Sequence, residues 1–194
     1  MATRLIIMGY EKYIPVAVVL TIYLARIMEV STKRLVIKGP IQEKSTFRLF
    51  MVSGLIAVFG GIAEYCLAGM RVNWVCLVIG IVLAIASFAL RRAAIAALGQ
   101  FWSLHIEIRE NHQFVRSGPF KWMRHPTYFS MILELLSAVF ILGTMWTAGL
   151  AFLIFLPALA RRLSDEEAAM VRKFGDVYKT YQRETPIIFP YKKP

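Results

Sequence analysis

The sequence lacks the short motifs by which many soluble enzymes are recognised. Its only histidines, His105, His112 and His125, show neither an H-x-x-x-H spacing nor a cysteine partner, which argues against a zinc site. No G-x-S-x-G elbow surrounds a serine, which argues against a serine hydrolase. Gly60-Gly61 falls inside an apolar run with no strand before it, so it is no dinucleotide fingerprint. We therefore expect no metal, and any nucleotide-like cofactor must be held in another way.

Acidic residues and cysteines are scarce as well. The chain has 12 Asp and Glu against 23 Lys and Arg, a net charge of +11, and two cysteines. Cys66 and Cys76 flank the short loop Ala68–Asn73. A disulfide across this loop is geometrically conceivable, but we expect two free thiols that act as small apolar residues in the membrane.

Apolar residues, in contrast, are abundant and lie in long runs. They make up 58% of the chain, whose mean hydropathy is +0.57, whereas soluble domains are nearer half apolar. About 20 apolar residues suffice to cross a bilayer as a helix. The sequence therefore predicts an all-α integral membrane protein with five transmembrane helices, at Tyr13–Glu29, Phe47–Met70, Val72–Leu90, Thr127–Leu142 and Met145–Ala160.

The basic residues are distributed unevenly between the loops. Most of them lie before the second span, after the third and after the fifth, whereas the other side carries only Arg4, Lys12 and Arg71. Because positive charge accumulates in cytoplasmic loops, this asymmetry predicts an outside N-terminus and a cytoplasmic C-terminus. The basic excess then reflects topology and attraction to anionic headgroups rather than binding of nucleic acid. Since no small-residue cleavage site follows the first apolar run, we expect Tyr13–Glu29 to be a retained span.

Two acidic residues fall inside predicted spans, where a charge is expensive. Glu64 lies near the outer loop, and we expect it to reach the interface or to meet Arg71. Glu134 lies about two turns into the fourth span, so it either pairs with a cation of a neighbouring span or lines an access channel.

The densest group of polar residues is the stretch from His112 to Tyr128, between two apolar runs. Gly118-Pro119 predicts a turn, and Pro126 predicts the start of a helix, because proline fits the first helical turn. The side chains and free backbone N–H groups of this stretch would then face one small volume. Such groups suit a bound ligand better than a packed core.

The fifth span is followed by charged residues in a helical pattern. Ser164 and Glu167 have the spacing of a capping box, which predicts a new helix from Ser164 to about Arg183. Arg162 and Glu166 lie on one face if the fifth helix continues. Because the last two spans are expected to form a hairpin, the acidic pair Glu166-Glu167 should face the polar stretch.

Several of these residues fall into an ordered set of motifs. They are H-x-F-V-x-S-G-P-F at 112–120, R-H-P-x-Y at 124–128, E-E at 166–167 and F-G-x-x-Y-x-x-Y at 174–181, followed by the final proline. This set extends over about Gly99–Pro190 and resembles the isoprenylcysteine carboxyl methyltransferase family. The resemblance implies S-adenosylmethionine as methyl donor and a lipid-modified cysteine carboxylate as acceptor. We expect three N-terminal spans at 1–98 and a catalytic half at 99–194.

The resemblance also implies roles for individual residues. Arg162 would face the acceptor carboxylate, and Glu166 or Glu167 would hold the ribose or amino groups of the cofactor. Phe120 stands where the family usually has tyrosine, and Ser130 where it favours glycine, so one hydroxyl is absent and helix packing at Ser130 is expected to differ. The other cofactor-binding residues would be His112, Gln113, Phe114, Val115, Phe120, His125, Pro126, Thr127 and Tyr128.

The implied chemistry agrees with these residue types. Methyl transfer from a sulfonium to a carboxylate is an in-line displacement without a strong general base, so positioning and desolvation can supply most of the rate. A lipid-modified acceptor would enter sideways from the bilayer. Two alternatives stay open: a methyltransferase that acts on phospholipid amines, and a small transporter or scaffold without catalytic activity.

Overall fold

The computed structural model describes residues 10–32, 45–102 and 115–189, and within these ranges every regular element is helical. Short 3₁₀ turns lie at Gly99–Phe101 and Gly118–Lys121. A π turn at Ile56–Gly60 interrupts the second long helix. The helices are α1 at Ile14–Ser31, α2 at Ser45–Leu67, α3 at Trp74–Leu98, α4 at Pro126–Leu142, α5 at Met145–Phe174 and α6 at Asp176–Glu184.

Four of these helices, α1, α2, α3 and α5, are long and apolar enough to cross a membrane by length and composition. They correspond to the first, second, third and fifth predicted spans. The fourth predicted span corresponds to α4, which is apolar but has only 17 residues. Helix α3 is longer than the third predicted span, because it continues past the two arginines Arg91-Arg92 to Leu98 and is capped by Gly99.

The prediction of a separate helix that begins at Ser164 is wrong. Helix α5 runs without a break from Met145 to Phe174, so no capping box forms. The reason is that Arg162, Leu163 and Glu167 are buried on one face of α5, and this packing outweighs the preference of Ser164 for a helix start. The helix ends instead at Gly175, whose φ of 57° is a conformation that favours glycine.

The hairpin between the last two long helices forms as expected. Gly143 adopts the left-handed conformation after α4, and its N–H donates to the carbonyl oxygen of Val139. Helix α5 begins two residues later, at Met145.

Both cysteines are free. Glu64 does not meet Arg71: its carboxylate accepts hydrogen bonds from the backbone N–H and hydroxyl of Thr147 at 2.7 and 2.6 Å, at the start of α5.

Glu134 pairs with cations of neighbouring helices, one of the two outcomes expected for it. Its carboxylate forms ion pairs with Arg91 of α3 and Arg26 of α1. Ser130, which lies one turn earlier in α4, accepts a hydrogen bond from Nε of Arg91 at 3.0 Å. The hydroxyl of Ser87 donates to the Ser130 carbonyl oxygen at 2.7 Å. This polar contact joins α3 and α4 at the position where glycine was expected.

Close packing of α3 against α4 depends on Gly80. A Cβ atom on Gly80 would lie 2.5 Å from Cγ1 of Ile141 and 2.8 Å from the backbone oxygen of Ser137. Small residues allow such close approach between helices in lipid. Since the carbonyl oxygen belongs to the backbone of α4, it cannot move aside as a flexible side chain would.

We expect Gly80→Ala to lower the free energy of unfolding by about 1–3 kcal/mol through overpacking. The matched control is Gly149→Ala in α5, where an added Cβ has no neighbour within 4 Å. This control should be neutral or stabilising by up to about 1 kcal/mol, because alanine favours helix over glycine. Unfolding in detergent, followed by circular dichroism, measures both changes, and equal melting temperatures for the two variants would contradict the packing.

Candidate active site

The site forms where the R-H-P-x-Y motif enters α4. Pro126 is the first residue of the helix, so its missing N–H removes no helical hydrogen bond. The two residues before Pro126 form backbone hydrogen bonds with the segment after α6. The N–H of Arg124 donates to the oxygen of Pro186 at 2.9 Å, and that of His125 to Ile187 at 3.0 Å. The C-terminal segment is therefore fixed across the motif.

Glu167 is the centre of a buried polar cluster that holds these parts together. Its side chain is 11% exposed, and its two oxygens accept from four side chains. Arg124 binds both oxygens, with Nε at 3.1 Å from Oε1 and Nη2 at 3.0 Å from Oε2. The other three contacts are His125 Nε2 at 2.6 Å, the Tyr178 hydroxyl at 2.8 Å and the Gln182 amide nitrogen at 2.6 Å.

Two tyrosines of α6 complete the cluster as hydrogen-bond donors. Burial raises the pKa of Tyr178 well above its usual range, and the neighbouring charge of Glu167 raises it further. Burial also raises the pKa of Tyr181 to about 12. Both phenols are therefore protonated at neutral pH, and Tyr181 donates to the backbone oxygen of Phe120 at 2.6 Å. Helix α6 is thus attached both to the motif and to the turn before it.

A second set of hydrogen bonds connects Arg162, Tyr128 and Glu166. The Tyr128 hydroxyl accepts a hydrogen bond from Nε of Arg162 at 2.7 Å and donates one to Oε2 of Glu166 at 2.6 Å. Arg162 is buried, and its guanidinium lies 5.8 Å from the ring centre of Phe50. Its Nη1 atom also donates to the Thr46 hydroxyl at 3.2 Å. These contacts fix the guanidinium in one orientation.

Glu166 differs from Glu167 in its surroundings. Its side chain is 33% exposed, and its second oxygen lies 3.9 Å from Nδ1 of His125, beyond hydrogen-bond distance. The His125 and Tyr128 rings are stacked with their centres 5.6 Å apart. Glu166 therefore has the capacity to accept further hydrogen bonds, whereas Glu167 is fully engaged within the protein.

One cavity of about 770 Å³ connects this arrangement to the apolar helices. Its polar end contains most of the residues predicted from the sequence. Its other walls come from α1 and α2 and include Leu24 and Met51, whose side chains are exposed. The predicted residues that line the cavity are Val115, Phe120, His125, Thr127, Tyr128, Arg162 and Glu166.

Other predicted site residues lie elsewhere. His112, Gln113 and Phe114 are outside the residues that the structure describes. Pro126 and Glu167 are buried beside the cavity, and the described walls do not include them. Within the described ranges no group of three His, Cys, Asp or Glu side chains is arranged to hold a metal ion.

Sequence reasoning missed several residues of the site. Thr46 and Phe50 at the start of α2 contact Arg162 but belong to a part of the chain without a recognised motif. Gln182 and Arg124 both contact Glu167 through their side chains, and Nη1 of Arg124 also donates to the backbone oxygen of Gln182 at 2.7 Å. The tyrosine spacing in F-G-x-x-Y-x-x-Y was a usable signal, because Tyr178 and Tyr181 are both buried and both donate into the cluster.

The geometry defines a helical membrane-type protein with a cavity that is lined by charged side chains at one end and by apolar helices elsewhere. Comparison with known proteins agrees with that class. The model of the isoprenylcysteine carboxyl methyltransferase (ICMT) family matches residues 78–172. The chain therefore belongs to this family of membrane methyltransferases.

The chain aligns with different shares of the length of its individual relatives. A protein of Haemophilus influenzae described as uncharacterized is 33% identical over 144 residues, 73% of this chain and 83% of that protein. Protein-S-isoprenylcysteine O-methyltransferase of Schizosaccharomyces pombe is 30% identical over 103 residues, 52% of this chain and 44% of that protein. The Arabidopsis thaliana protein-S-isoprenylcysteine O-methyltransferase B is 27% identical over 145 residues, 73% of this chain and 74% of that protein. The chain thus spans less than half of the fission yeast relative.

Proposed function

We propose that this chain transfers a methyl group from S-adenosylmethionine to the carboxylate of a lipid-modified, isoprenylcysteine-like acceptor. The observation that carries the proposal is the position of Tyr128 between Arg162 and Glu166. All three line a cavity that continues to the lipid-facing helices. A fixed cation and an anion with free acceptor capacity are thereby held side by side at the end of an apolar cavity.

The cavity has the properties that the methyl donor requires. Its volume of about 770 Å³ lies in the range of ligand pockets, about 300–1,000 Å³. Glu166 would accept hydrogen bonds from the ribose or amino group, since its side chain is 33% exposed and lines the cavity together with His125. Val115 and Phe120 would cover the adenine. When bound, S-adenosylmethionine supplies an electrophilic methyl group on a sulfonium.

Arg162 would orient the acceptor carboxylate. Its guanidinium is held by Tyr128, Thr46 and Phe50, so little freedom is lost when it binds an anion. A guanidinium forms paired hydrogen bonds to a carboxylate in one plane. The carboxylate is ionised at neutral pH, so the protein has to orient it and exclude water rather than remove a proton.

We assign Glu167 a positioning role instead of contact with the cofactor. Its oxygens are occupied by Arg124, His125, Tyr178 and Gln182, and these contacts keep α6 closed over the motif. The two parts of the chain, 1–98 and 99–194, would then have different functions. The second part would contain most of the donor site, and the first part would contribute the apolar walls of the cavity.

The membrane topology that we propose rests on the lengths of the helices and on the uneven distribution of basic residues between the loops. We infer five spans, with the 17-residue α4 as the fourth, an outside N-terminus and a cytoplasmic active site. The exposed apolar side chains of α1 and α2 on the cavity wall support entry of the acceptor from the bilayer. Fusion of a reporter to either terminus tests the orientation.

Calorimetric titration of S-adenosylhomocysteine into detergent-purified protein tests the donor site. We expect binding that Glu166→Gln weakens about 10- to 100-fold, because hydrogen bonds to a charged group contribute about 1.5–3 kcal/mol. Asp165→Asn is the matched control, since Asp165 is exposed and lies 3.9 Å from Arg161. Its affinity should equal that of the unmodified protein.

The two outcomes have different consequences. Absence of binding by the unmodified protein would overturn the methyltransferase proposal and favour a transporter or scaffold. If the donor binds, methyl transfer is compared between an S-farnesylcysteine and phosphatidylethanolamine. Activity on the amine lipid alone would assign the chain to phospholipid methylation instead.

A further inference from the structure

Away from Arg162, the cavity is lined by facing residues of α1 and α2, and this part is here called the α1–α2 groove. On α2, Phe47, Met51 and Gly54 are spaced by four and three residues, so they lie on one face of the helix. All three line the cavity. Two of them carry large apolar side chains, whereas at Gly54 the wall consists of backbone alone.

The opposite wall of the α1–α2 groove has the same pattern. Leu20, Leu24 and Ile27 of α1 are also spaced by four and three residues, and all three line the cavity. Their side chains are exposed, as is that of Met51 on the other wall. The two apolar faces therefore do not bury one another, and they leave room for an apolar chain between them.

The glycine at position 54 is not required by the fold. Its backbone is α-helical, so no left-handed conformation demands glycine, and glycine inside a helix is destabilising relative to alanine. A Cβ atom on Gly54 would meet no atom of the described residues within 4 Å. On Gly61 of the same helix, a Cβ atom would lie 2.9 Å from Cδ1 of Leu142, so that glycine permits close packing against α4.

Gly54 also lies at a suitable distance from the site of the carboxylate. The guanidinium of Arg162 is 5.8 Å from the ring centre of Phe50. Gly54 follows Phe50 by four residues, which corresponds to about 6 Å along the axis of α2. A long chain attached to a carboxylate at Arg162 would therefore pass Gly54, whereas a short chain would end before it.

We propose that Gly54 makes room for the lipid chain of the acceptor and so determines which chains the protein accepts; this inference rests on the proposed function. The occupant is an apolar chain joined to an anionic head, because one cavity combines the buried guanidinium of Arg162 with the apolar faces of the α1–α2 groove. Gly54 contacts the chain and not the reacting atoms. It is therefore a specificity-determining residue, and a larger side chain at this position occupies the space of the acceptor.

Gly54→Leu tests the proposal with two acceptors, N-acetyl-S-dimethylallylcysteine and N-acetyl-S-farnesylcysteine, which share one head and differ in chain length. The unmodified protein should have the lower KM for the farnesyl compound, because the longer chain buries more apolar surface. In Gly54→Leu the ratio of the KM for the short chain to that for the long chain should fall by about tenfold, an effect that one misfitting methylene can produce. Gly54→Ala should lower it less. Partition into detergent is the same for all variants, so it cancels in this comparison.

Gly149→Leu is the matched control variant. Gly149 also lies inside a long apolar helix, and a Cβ atom there has no neighbour within 4 Å among the described residues, but the described walls of the cavity do not include it. This variant should keep the KM ratio of the unmodified protein. The proposal is overturned if Gly54→Leu keeps the ratio as well, or if both variants lower it equally.

Melting temperatures show whether the space at Gly54 is open. Leucine favours helix over glycine, so neither Gly54→Leu nor Gly149→Leu should melt at a lower temperature than the unmodified protein. A lower melting temperature of Gly54→Leu alone would show that position 54 is packed against other parts of the chain. That result would also overturn the proposal.

A binding measurement separates this inference from the proposed function. The rise in melting temperature on addition of each acceptor is recorded with S-adenosylhomocysteine present. Greater stabilisation by the farnesyl compound, reduced in Gly54→Leu but not in Gly149→Leu, supports the role of Gly54 even if no acceptor is methylated. Methylation of the farnesyl compound with an unchanged KM ratio in Gly54→Leu would retain the proposed function and reject the role of Gly54.

Discussion

Glu167→Ala is expected to destabilise the protein more than any other single change at the site. It leaves Arg124, His125, Tyr178 and Gln182 without their common acceptor. Removal of one partner from a buried charged network costs about 3–5 kcal/mol. At about 2–4 °C per kcal/mol for a chain of this size, the melting temperature should fall by roughly 6–20 °C. Donor binding should be lost together with the attachment of α6.

The neighbouring acidic residues provide the comparison for this result. Asp165→Ala removes an exposed carboxylate two residues away and should leave the melting temperature unchanged. Glu166→Gln keeps an acceptor for the Tyr128 hydroxyl, so it should affect binding of the donor far more than stability. A Glu167→Ala protein that melts at the normal temperature would show that the buried cluster does not hold α6.

Arg162→Lys is expected to lower kcat/KM for the acceptor by about 10²-fold, the effect of displacing a reacting group by about 1 Å from its productive position. Lysine keeps the positive charge but lacks the planar fork that binds a carboxylate with two hydrogen bonds. Affinity for S-adenosylhomocysteine should change little, since Glu166 and the apolar walls are retained. The measurement is steady-state methyl transfer with the acceptor varied, beside calorimetry of the donor.

Arg161 supplies the matched control for Arg162. It is the adjacent residue on α5, its side chain is 69% exposed, and it lies 3.9 Å from Asp165. Arg161→Lys should therefore leave kcat/KM unchanged. Equal loss of donor affinity and of activity in Arg162→Lys would contradict the assignment of Arg162 to the acceptor, because a change confined to acceptor binding cannot alter the donor site to the same extent.

The long apolar helices could be predicted well because their cause is local. Runs such as the one within Trp74–Leu98 are apolar throughout, and signals at Pro126, Gly143 and Gly99 mark helix ends by their own backbone preferences. The prediction of a helix break at Ser164 was wrong because its outcome depends on non-local contacts. Whether serine ends a helix depends on what its neighbours pack against, and the burial of Leu163 is a property of the tertiary structure.

The site could be predicted only in part. Motif order indicated that Tyr128, Arg162 and Glu166 belong together, and the structure brings them into direct contact. It could not distinguish Glu166 from Glu167, because adjacent residues on a helix point about 100° apart and only packing decides which one faces a cavity. Phe50 was missed because apolar helices tolerate aromatic residues at many positions, and its proximity to Arg162 depends on long-range contacts.

The π turn of α2 determines the effect of a one-residue deletion. Bonds from residue i to i+5 hold one residue more per turn than α-helical bonds do. Phe50 before this turn contacts Arg162, and Glu64 after it binds Thr147 at the start of α5. Loss of one residue from Ile56–Gly60 would restore a regular helix and leave its two ends in nearly the same relative orientation, because the residue removed is the one that the wider turn accommodates. Both contacts could then be kept, whereas loss of a further residue would rotate the two ends by about 100° relative to each other and break one of them.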